Sequence, residues 1–377
     1  MRRLMKVLLL SEKHYALPHD WVACLLAQAG VQLHCVLRTG SPAVPFWREH
    51  GLTVEELPWR GRFDGASLRR LREILREFQP DIIHAYTGKT GWLAIWAQWP
   101  RKQAKLVFYR GATRYPSRWS PADWLLFYSN WVDAYECNCQ GVAKSLVKGG
   151  VPCDKVAIVY YGHRLEWYAN GAAPAALAQK SAAWRIGTVC NYRKCKGLET
   201  LVDAADMLAA RGVDFEVVIV GRDDRQELAR YVSRARCRDR VKLTGPIQNP
   251  WGVVRTFDCA VVPSLTEGLA KAALEALGCG VPVVASDVGG LREIIEHDVN
   301  GLLVPPAAPA RLADAIVTVL EDPALRARLT AGGRRVLETK FSIDTTRDRL
   351  MALYHRVLDG RPPGDGLPEP GCPDRSL

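Results

Sequence analysis

Two glutamates, Glu267 and Glu275, stand eight positions apart in the run VVPSLTEGLAKAALEALGCGVPVVASDVGGLREII, residues 261–295. Eight residues are a little over two helical turns, so on one helix both carboxylates share a face. A helix starting near Glu267 leaves the N–H groups of Gly268, Leu269, Ala270 and Lys271 as donors for an oxygen-rich ligand. A carboxylate beside them can accept two hydroxyls at once, chemistry suited to sugars and riboses. Earlier, Asn191-Tyr192-Arg193-Lys194-Cys195-Lys196-Gly197 puts a basic loop before a helical stretch from Leu198 to Ala210. Such a loop attracts anions through its charges and through the helix end.

Further polar residues follow predicted strands: Ser11-Glu12-Lys13-His14, then His84 to Lys89, then Arg110 to Arg114. Ligands of open α/β sheets bind outside the carboxyl ends of the strands, so Lys13, His14, His84 and Arg110 are candidates for holding a second substrate. Arg110 stays charged near neutral pH, which suits it to a phosphate or carboxylate and not to a base. His84 and His163 each also fit a structural hydrogen-bonding role.

The pattern E-x7-E, preceded by Pro263-Ser264 and followed by G-x-P-V-V-A-S-D-V-G-G-x-x-E, resembles the donor-site signature of the retaining glycosyltransferases of family 4, with the lipopolysaccharide-core type among them. The similarity extends more weakly over residues 4–360. It implies a GT-B fold: α/β, with two Rossmann-like, doubly wound parallel-sheet domains facing a central cleft. It implies that Glu275 accepts ribose hydroxyls, that Glu267 holds the transferred sugar, and that Gly268, Leu269, Ala270 and Lys271 bind sugar or phosphate oxygens. Lys196 matches the lysine of the family's K-G element, which binds the donor diphosphate. Arg193 lies closer to that lysine than the family's arginine does and substitutes for it. The Gly-Gly loop that relatives carry after the first strand is absent, and Tyr109 and Arg110 stand where many relatives place a histidine.

These residues need strands and helices to position them. Strands are expected at Lys6–Leu10, Gln32–Leu37, Thr53–Leu57, Asp81–Ala85, Lys105–Tyr109 and Ala134–Asn138, then at Arg185–Cys190, Glu216–Gly221, Val241–Gly245, Cys259–Val262 and Val281–Ala285. Helices alternate with them, and that alternation implies parallel sheets. Ser67 is the expected N-cap of a helix ending at Phe78, with Leu68, Leu71, Leu75 and Phe78 on one face and Arg69, Arg70, Arg72 and Arg76 around the rest. Further helices are expected at Arg311–Leu320, Pro323–Thr330 and Ile343–Leu358. The aromatic-rich segment 117–131 is read as core, with a wall against sugar or lipid as the other reading. The expected organisation is an acceptor domain at 1–168, an Ala-rich linker at 169–182, a nucleotide-sugar domain at 183–342, a helix at 343–359 crossing back to the first domain, and a Pro- and Gly-rich disordered tail at 360–377.

Composition narrows the class. Residues 1–170 hold 23 Lys and Arg against 14 Asp and Glu, whereas residues 171–377 hold 28 against 26. The basic half points to an anionic partner: a phosphorylated saccharide or glycolipid, or an anionic inner-membrane surface. No nucleic-acid motif is present. No apolar run reaches the ~20 residues of a membrane helix. The apolar run near the start stops at Leu10 and reads as a buried strand, not an export signal. The 11 cysteines are scattered without zinc-site spacing, which suits a reducing cytoplasm. No D-x-D triplet follows a strand, so neither a metal nor another cofactor is implied, and Arg193 and Lys196 are left to neutralise a diphosphate.

The expectation is a cytoplasmic, metal-independent hexosyltransferase, peripheral on the inner face of the membrane. It would move a sugar from a nucleotide-diphosphate sugar to a cell-envelope saccharide or glycolipid in lipopolysaccharide or polysaccharide biosynthesis. The alternatives are a catalytically inactive nucleotide-sugar-binding partner protein and a nucleotide-sugar epimerase on the same fold. A dehydrogenase is disfavoured, because no G-x-G-x-x-G follows the first strand.

Overall fold

The computed structural model describes residues 4–12, 17–61 and 64–363, so Lys13, His14 and the tail from 364 onward lie outside the described residues. The chain divides into two compact units, 1–162 with 343–377, and 163–342.

The first unit is built on a seven-stranded sheet in the order β3-β2-β1-β4-β5-β6-β7. Its strands are β1 Lys6–Ser11, β2 Gln32–Arg38, β3 Thr53–Leu57, β4 Ile82–Ala85, β5 Lys105–Arg110, β6 Ala134–Cys137 and β7 Val156–Ile158. All pairs are parallel. The apolar run Val7–Leu10 is buried at the centre of this sheet. The order reverses between β1 and β4, which opens a crevice at their carboxyl ends. β7 is an addition to the expected strands; with three residues it is too short for periodicity to reveal.

The helix Gly65–Phe78 starts before Ser67 because Asp64, not Ser67, is the N-cap. The Asp64 carboxylate accepts from the Ser67 N–H at 3.2 Å and from the Ser67 hydroxyl at 2.8 Å. Its arginine face is partly neutralised, since Arg70 donates to both oxygens of Glu55 at 2.6 and 3.0 Å. In the aromatic segment Leu126 and Phe127 are core, but Trp119 and Trp124 are 96% and 53% exposed, so the core reading holds for only part of it. The last helix, Ile343–Leu358, packs on the helix Leu17–Gln28.

The second unit has a six-stranded parallel sheet in the order β10-β9-β8-β11-β12-β13. Its strands are β8 Trp184–Val189, β9 Phe215–Val220, β10 Val241–Gly245, β11 Cys259–Val262, β12 Val283–Ser286 and β13 Leu302–Val304. Here the order reverses between β8 and β11. The helix expected to stop at Thr330 runs from Pro323 to Glu338 and takes Gly332-Gly333 inside it.

The division between the units falls before the expected boundary at 168. His163 donates its N–H to the Phe341 carbonyl at 2.7 Å, within the second unit. The expected linker 169–182 is largely exposed but is tied to this unit by hydrogen bonds at Leu177 and Gln179. The fully buried Arg185 explains why. Its Nη1 donates to Leu177 O and Thr256 Oγ1, and its Nη2 to Gln179 O, each at 2.6 Å. Its Nε donates to Glu216 Oε1 at 2.6 Å. Burial alone would raise the Glu216 carboxyl, but hydrogen bonds from Lys242, Ser181 and Arg185 outweigh it and hold the group at about 2.

Arg185→Ala is therefore expected to cost ~3–5 kcal/mol, because it takes the buried arginine partner from Glu216 and the donor from the Leu177 and Gln179 carbonyls. The depressed Glu216 group contributes stability above its unfolded value of 4.5 and loses it as pH falls through about 2. Urea unfolding of wild type and Glu216→Gln across pH checks this: the wild-type advantage should be constant above pH 4.5 and shrink below it.

Candidate functional site

In the second unit the chain leaves β11 through Pro263-Ser264, forms a loop, and enters the helix Lys271–Gly278. Glu267 is thus not on the helix but in the loop before it, a correction to the shared-face reading. Backbone hydrogen bonds hold the loop open. The Cys195 carbonyl accepts from Leu265 N–H at 2.8 Å and Thr266 N–H at 3.4 Å, and the Glu267 carbonyl accepts from Gly290 N–H at 3.3 Å. Glycines on two sides make this approach feasible. A Cβ on Gly197, at φ +61°, would lie 2.1 Å from Pro263 O, and one on Gly290 would lie 2.0 Å from Gly268 O.

The clamp aims the polar groups. Glu267 Oε2 accepts from Lys196 Nζ at 2.6 Å and from Ser264 Oγ at 2.9 Å. Among the described residues, the N–H groups of Gly268, Leu269 and Ala270 have no hydrogen-bond partner. Ala270 is the N-cap and supplies no side-chain cap, so the helix start is left to a ligand or to water. Lys271 is the first helical residue. Arg193 lies exposed in the loop before Lys194–Lys196.

Glu275 sits on the helix, and burial pushes its carboxyl up to about 7 against the opposing charge of Lys271. His163 is buried, with Nδ1 on the Tyr168 hydroxyl. Burial and the Lys271 charge push it down to about 3, so it is neutral near pH 7. The Lys196–Glu267 pair and the Ser264 hydroxyl were not foreseen. Pro263-Ser264 marks the strand end in sequence, but nothing there marks the Cys195 carbonyl, which acts through its backbone.

In the first unit a cavity of about 570 Å³ opens at the carboxyl ends of β1, β4 and β5. Glu12, Lys89, Trp92, Tyr109, Arg110 and Arg114 are among its lining residues. Lys89 Nζ lies 3.2 Å from Glu12 Oε2. Arg110 donates to Ala112 O at 3.1 Å and Arg114 O at 2.7 Å, and its guanidinium lies 5.2 Å from the Phe127 ring centre.

His84 does not reach this cavity. It is fully buried, with Nδ1 2.8 Å from the Tyr354 hydroxyl and Nε2 2.9 Å from Glu136. The alternation of β4 turns it toward the last helix, and its role is to tie that helix to the sheet. Among the described residues no group of three His, Cys, Asp or Glu side chains is arranged to hold a metal ion, and no helix is long and apolar enough to cross a membrane.

Residues 22–167 match the family described as Glycosyltransferase Family 4, and residues 183–322 match Glycosyl transferases group 1. The lipopolysaccharide core biosynthesis glycosyltransferase LpsD of Rhizobium meliloti is 28% identical over 346 residues, 89% of this chain and 93% of its own length. The alpha-D-kanosaminyltransferase of Streptomyces kanamyceticus is 32% identical over 165 residues, 43% of either chain. Among solved structures, HepE of Anabaena in complex with UDP-glucose aligns with a TM-score of 0.75 at 20% identity, covering 94% of this chain and 100% of its own. The protein is a glycosyltransferase of the GT-B fold. It belongs to glycosyltransferase family 4.

Gly290→Ala should displace the 264–270 loop and abolish nucleotide-induced stabilisation while leaving a cooperative thermal transition, which differential scanning fluorimetry would read. The raised Glu275 group binds its proton more tightly folded than unfolded, so stability falls as pH rises from 4.5 through about 7. Glu275→Gln should therefore be more stable than wild type above pH 7, by at most ~3 kcal/mol, with the gain vanishing below pH 4.5 in urea titrations.

Proposed function

We propose that the chain transfers a hexose-type sugar from a uridine-diphosphate sugar, with retention at the anomeric carbon, to a saccharide or glycolipid of the cell envelope at the inner face of the cytoplasmic membrane. The observation that carries this reading is the Lys196–Glu267 pair beside the N–H groups of Gly268–Ala270, ahead of the helix start at Lys271 and at the switch point of the second sheet. Negative charge builds on the diphosphate as the glycosidic bond breaks, and Lys196 with Arg193 would stabilise it. In doing so Lys196 exchanges its partner, which frees Glu267 to accept sugar hydroxyls and to face the positive charge growing on the ring. The N–H groups of Gly268 to Lys271 would bind sugar or phosphate oxygens. Glu275, ionised, would accept the ribose diol. The two cations and the helix start neutralise the leaving group without a metal.

A uridine donor is supported by the UDP and UDP-glucose bound in HepE. An envelope acceptor is supported by LpsD and by the amylovoran biosynthesis glycosyltransferase AmsK of Erwinia amylovora, 29% identical over 221 residues. The acceptor is assigned to the 570 Å³ cavity of the first unit, where Arg110 and Arg114 favour an anionic group beside a sugar ring lying on the aromatic side chains.

Thermal shift against a panel of nucleoside diphosphates tests the reading. UDP should stabilise wild type, and the effect should be lost in Glu275→Ala and Lys196→Ala. In single-turnover transfer, Lys196→Ala should lower the rate by roughly 10²-fold or more. Absence of stabilisation by every nucleotide would favour a binding partner that has lost the donor site.

A further inference from the structure

A second concavity in the first unit carries four tryptophans. A groove of about 790 Å³ is lined by Ile95, Trp96, Trp99, Trp124, Tyr128 and Trp131, among others. Trp96, Trp99 and Trp124 are 37%, 53% and 53% exposed, and nearby in sequence Trp119 is 96% exposed. The rings form a chain: Trp96 to Trp99 is 5.9 Å and Trp99 to Trp131 is 5.7 Å between centres. Leaving this much indole in water is costly, so the patch signals a surface that is covered in use.

The rim is basic. Arg72 donates to the Trp96 carbonyl at 3.1 Å, and the Arg118 guanidinium stacks 5.3 Å from the Tyr128 ring centre. Arg101 follows the groove residue Pro100, and Lys102 lines the groove itself while pairing with Asp133 at 2.6 Å. This lies within the basic part of the chain, where residues 1–170 hold 23 Lys and Arg against 14 Asp and Glu. Exposed tryptophans ringed by cations match a lipid–water interface: the indoles sit at headgroup depth and the cations meet anionic headgroups.

The groove also shares its walls with the acceptor cavity. The helix Gly88–Gln98 gives Lys89 and Trp92 to the cavity and Trp96 to the groove. The turn Trp124–Tyr128 gives Leu126 and Phe127 to the cavity and Trp124 and Tyr128 to the groove.

We propose that this tryptophan groove docks the first unit on an anionic lipid bilayer, holding the neighbouring cavity where the headgroup of a lipid-linked acceptor can enter. The proposal rests on the glycolipid-acceptor reading above, and its test separates the two. Flotation of the full chain with vesicles of phosphatidylcholine plus phosphatidylglycerol, and of phosphatidylcholine alone, should show strong binding to the first and weak binding to the second. Trp96→Ser with Trp124→Ser should lower partitioning by roughly 100-fold. Arg72→Gln with Arg101→Gln and Arg118→Gln should lower it by roughly 100-fold and weaken its salt dependence. UDP-induced thermal stabilisation, retained in every variant, shows that each is folded. Vesicle binding with no UDP effect in any chain would uphold docking while removing the uridine-donor reading. Equal binding by wild type and both variants, or no binding to either vesicle, overturns the proposal. So does a wild-type dimer in light scattering that the tryptophan variant loses without any vesicle binding, since a second copy would then be the occupant.

Discussion

The geometry of the loop after β11 depends on backbone meeting backbone with no side chain between. The loop that leaves β11 lies against Gly197 on one side and Gly289-Gly290 on the other, and a methyl group at any of these three would sit about 2 Å from a carbonyl oxygen. At that spacing peptide groups can bond across the gap, and they do, through the Cys195 and Glu267 carbonyls. The bonds prevent Leu265 to Ala270 from joining the following helix. The helix therefore begins late, at Lys271, with Glu267 in the loop ahead of it and, among the described residues, no partner for the N–H groups of Gly268 to Ala270. Lys196 reaches Glu267 because Gly197, in the left-handed region, turns the chain directly after it.

Two glutamates of the second unit show how environment, not residue type, sets a charge. Glu216 is fully buried and Glu275 half-buried. Glu216 is met by Lys242, Ser181 and Arg185 and falls to about 2. For Glu275 burial outweighs the opposing charge of Lys271, and the group rises to about 7. The first is spent on architecture: it anchors Arg185, which gathers the chain from Leu177 to Gln179 onto the sheet. The second lacks such hydrogen bonds, so its charged form costs stability, a pattern that clusters at functional sites.

Much of this was legible in the chain, for identifiable reasons. Both sheets, their parallel sense and the positions of Thr53–Leu57, Val241–Gly245 and Cys259–Val262 follow from apolar runs bounded by turn residues. Lys196, Glu267 and Glu275 are singled out as candidates by a dense local pattern, and the structure pairs Lys196 with Glu267. What was not legible depends on distant partners. His84 looked available at a strand end, but its fate is set by Tyr354 on the last helix and Glu136 on β6. The stretch 169–182 looked like a linker because it is Ala-rich, yet Arg185 supplies through its guanidinium the anchoring that few large side chains there could. Ser67 lost the N-cap to Asp64 because a carboxylate accepts from a backbone amide and a hydroxyl together. The four tryptophans of the groove are spread from 96 to 131, so no local period reveals that they meet.

The second unit begins at His163 and ends at Ser342, and those two residues form a parallel bridge, with the His163 amide on the Phe341 carbonyl. Its entry and exit are thus side by side. A segment with adjoining ends is in effect a cassette, spliced into a host chain that resumes at Ile343. It could be exchanged as one piece between relatives and, on the proposed function, would carry donor preference with it and leave acceptor recognition with the host. Evolution of the two specificities would then proceed by recombination at a single point in space, although that point is two points in the gene.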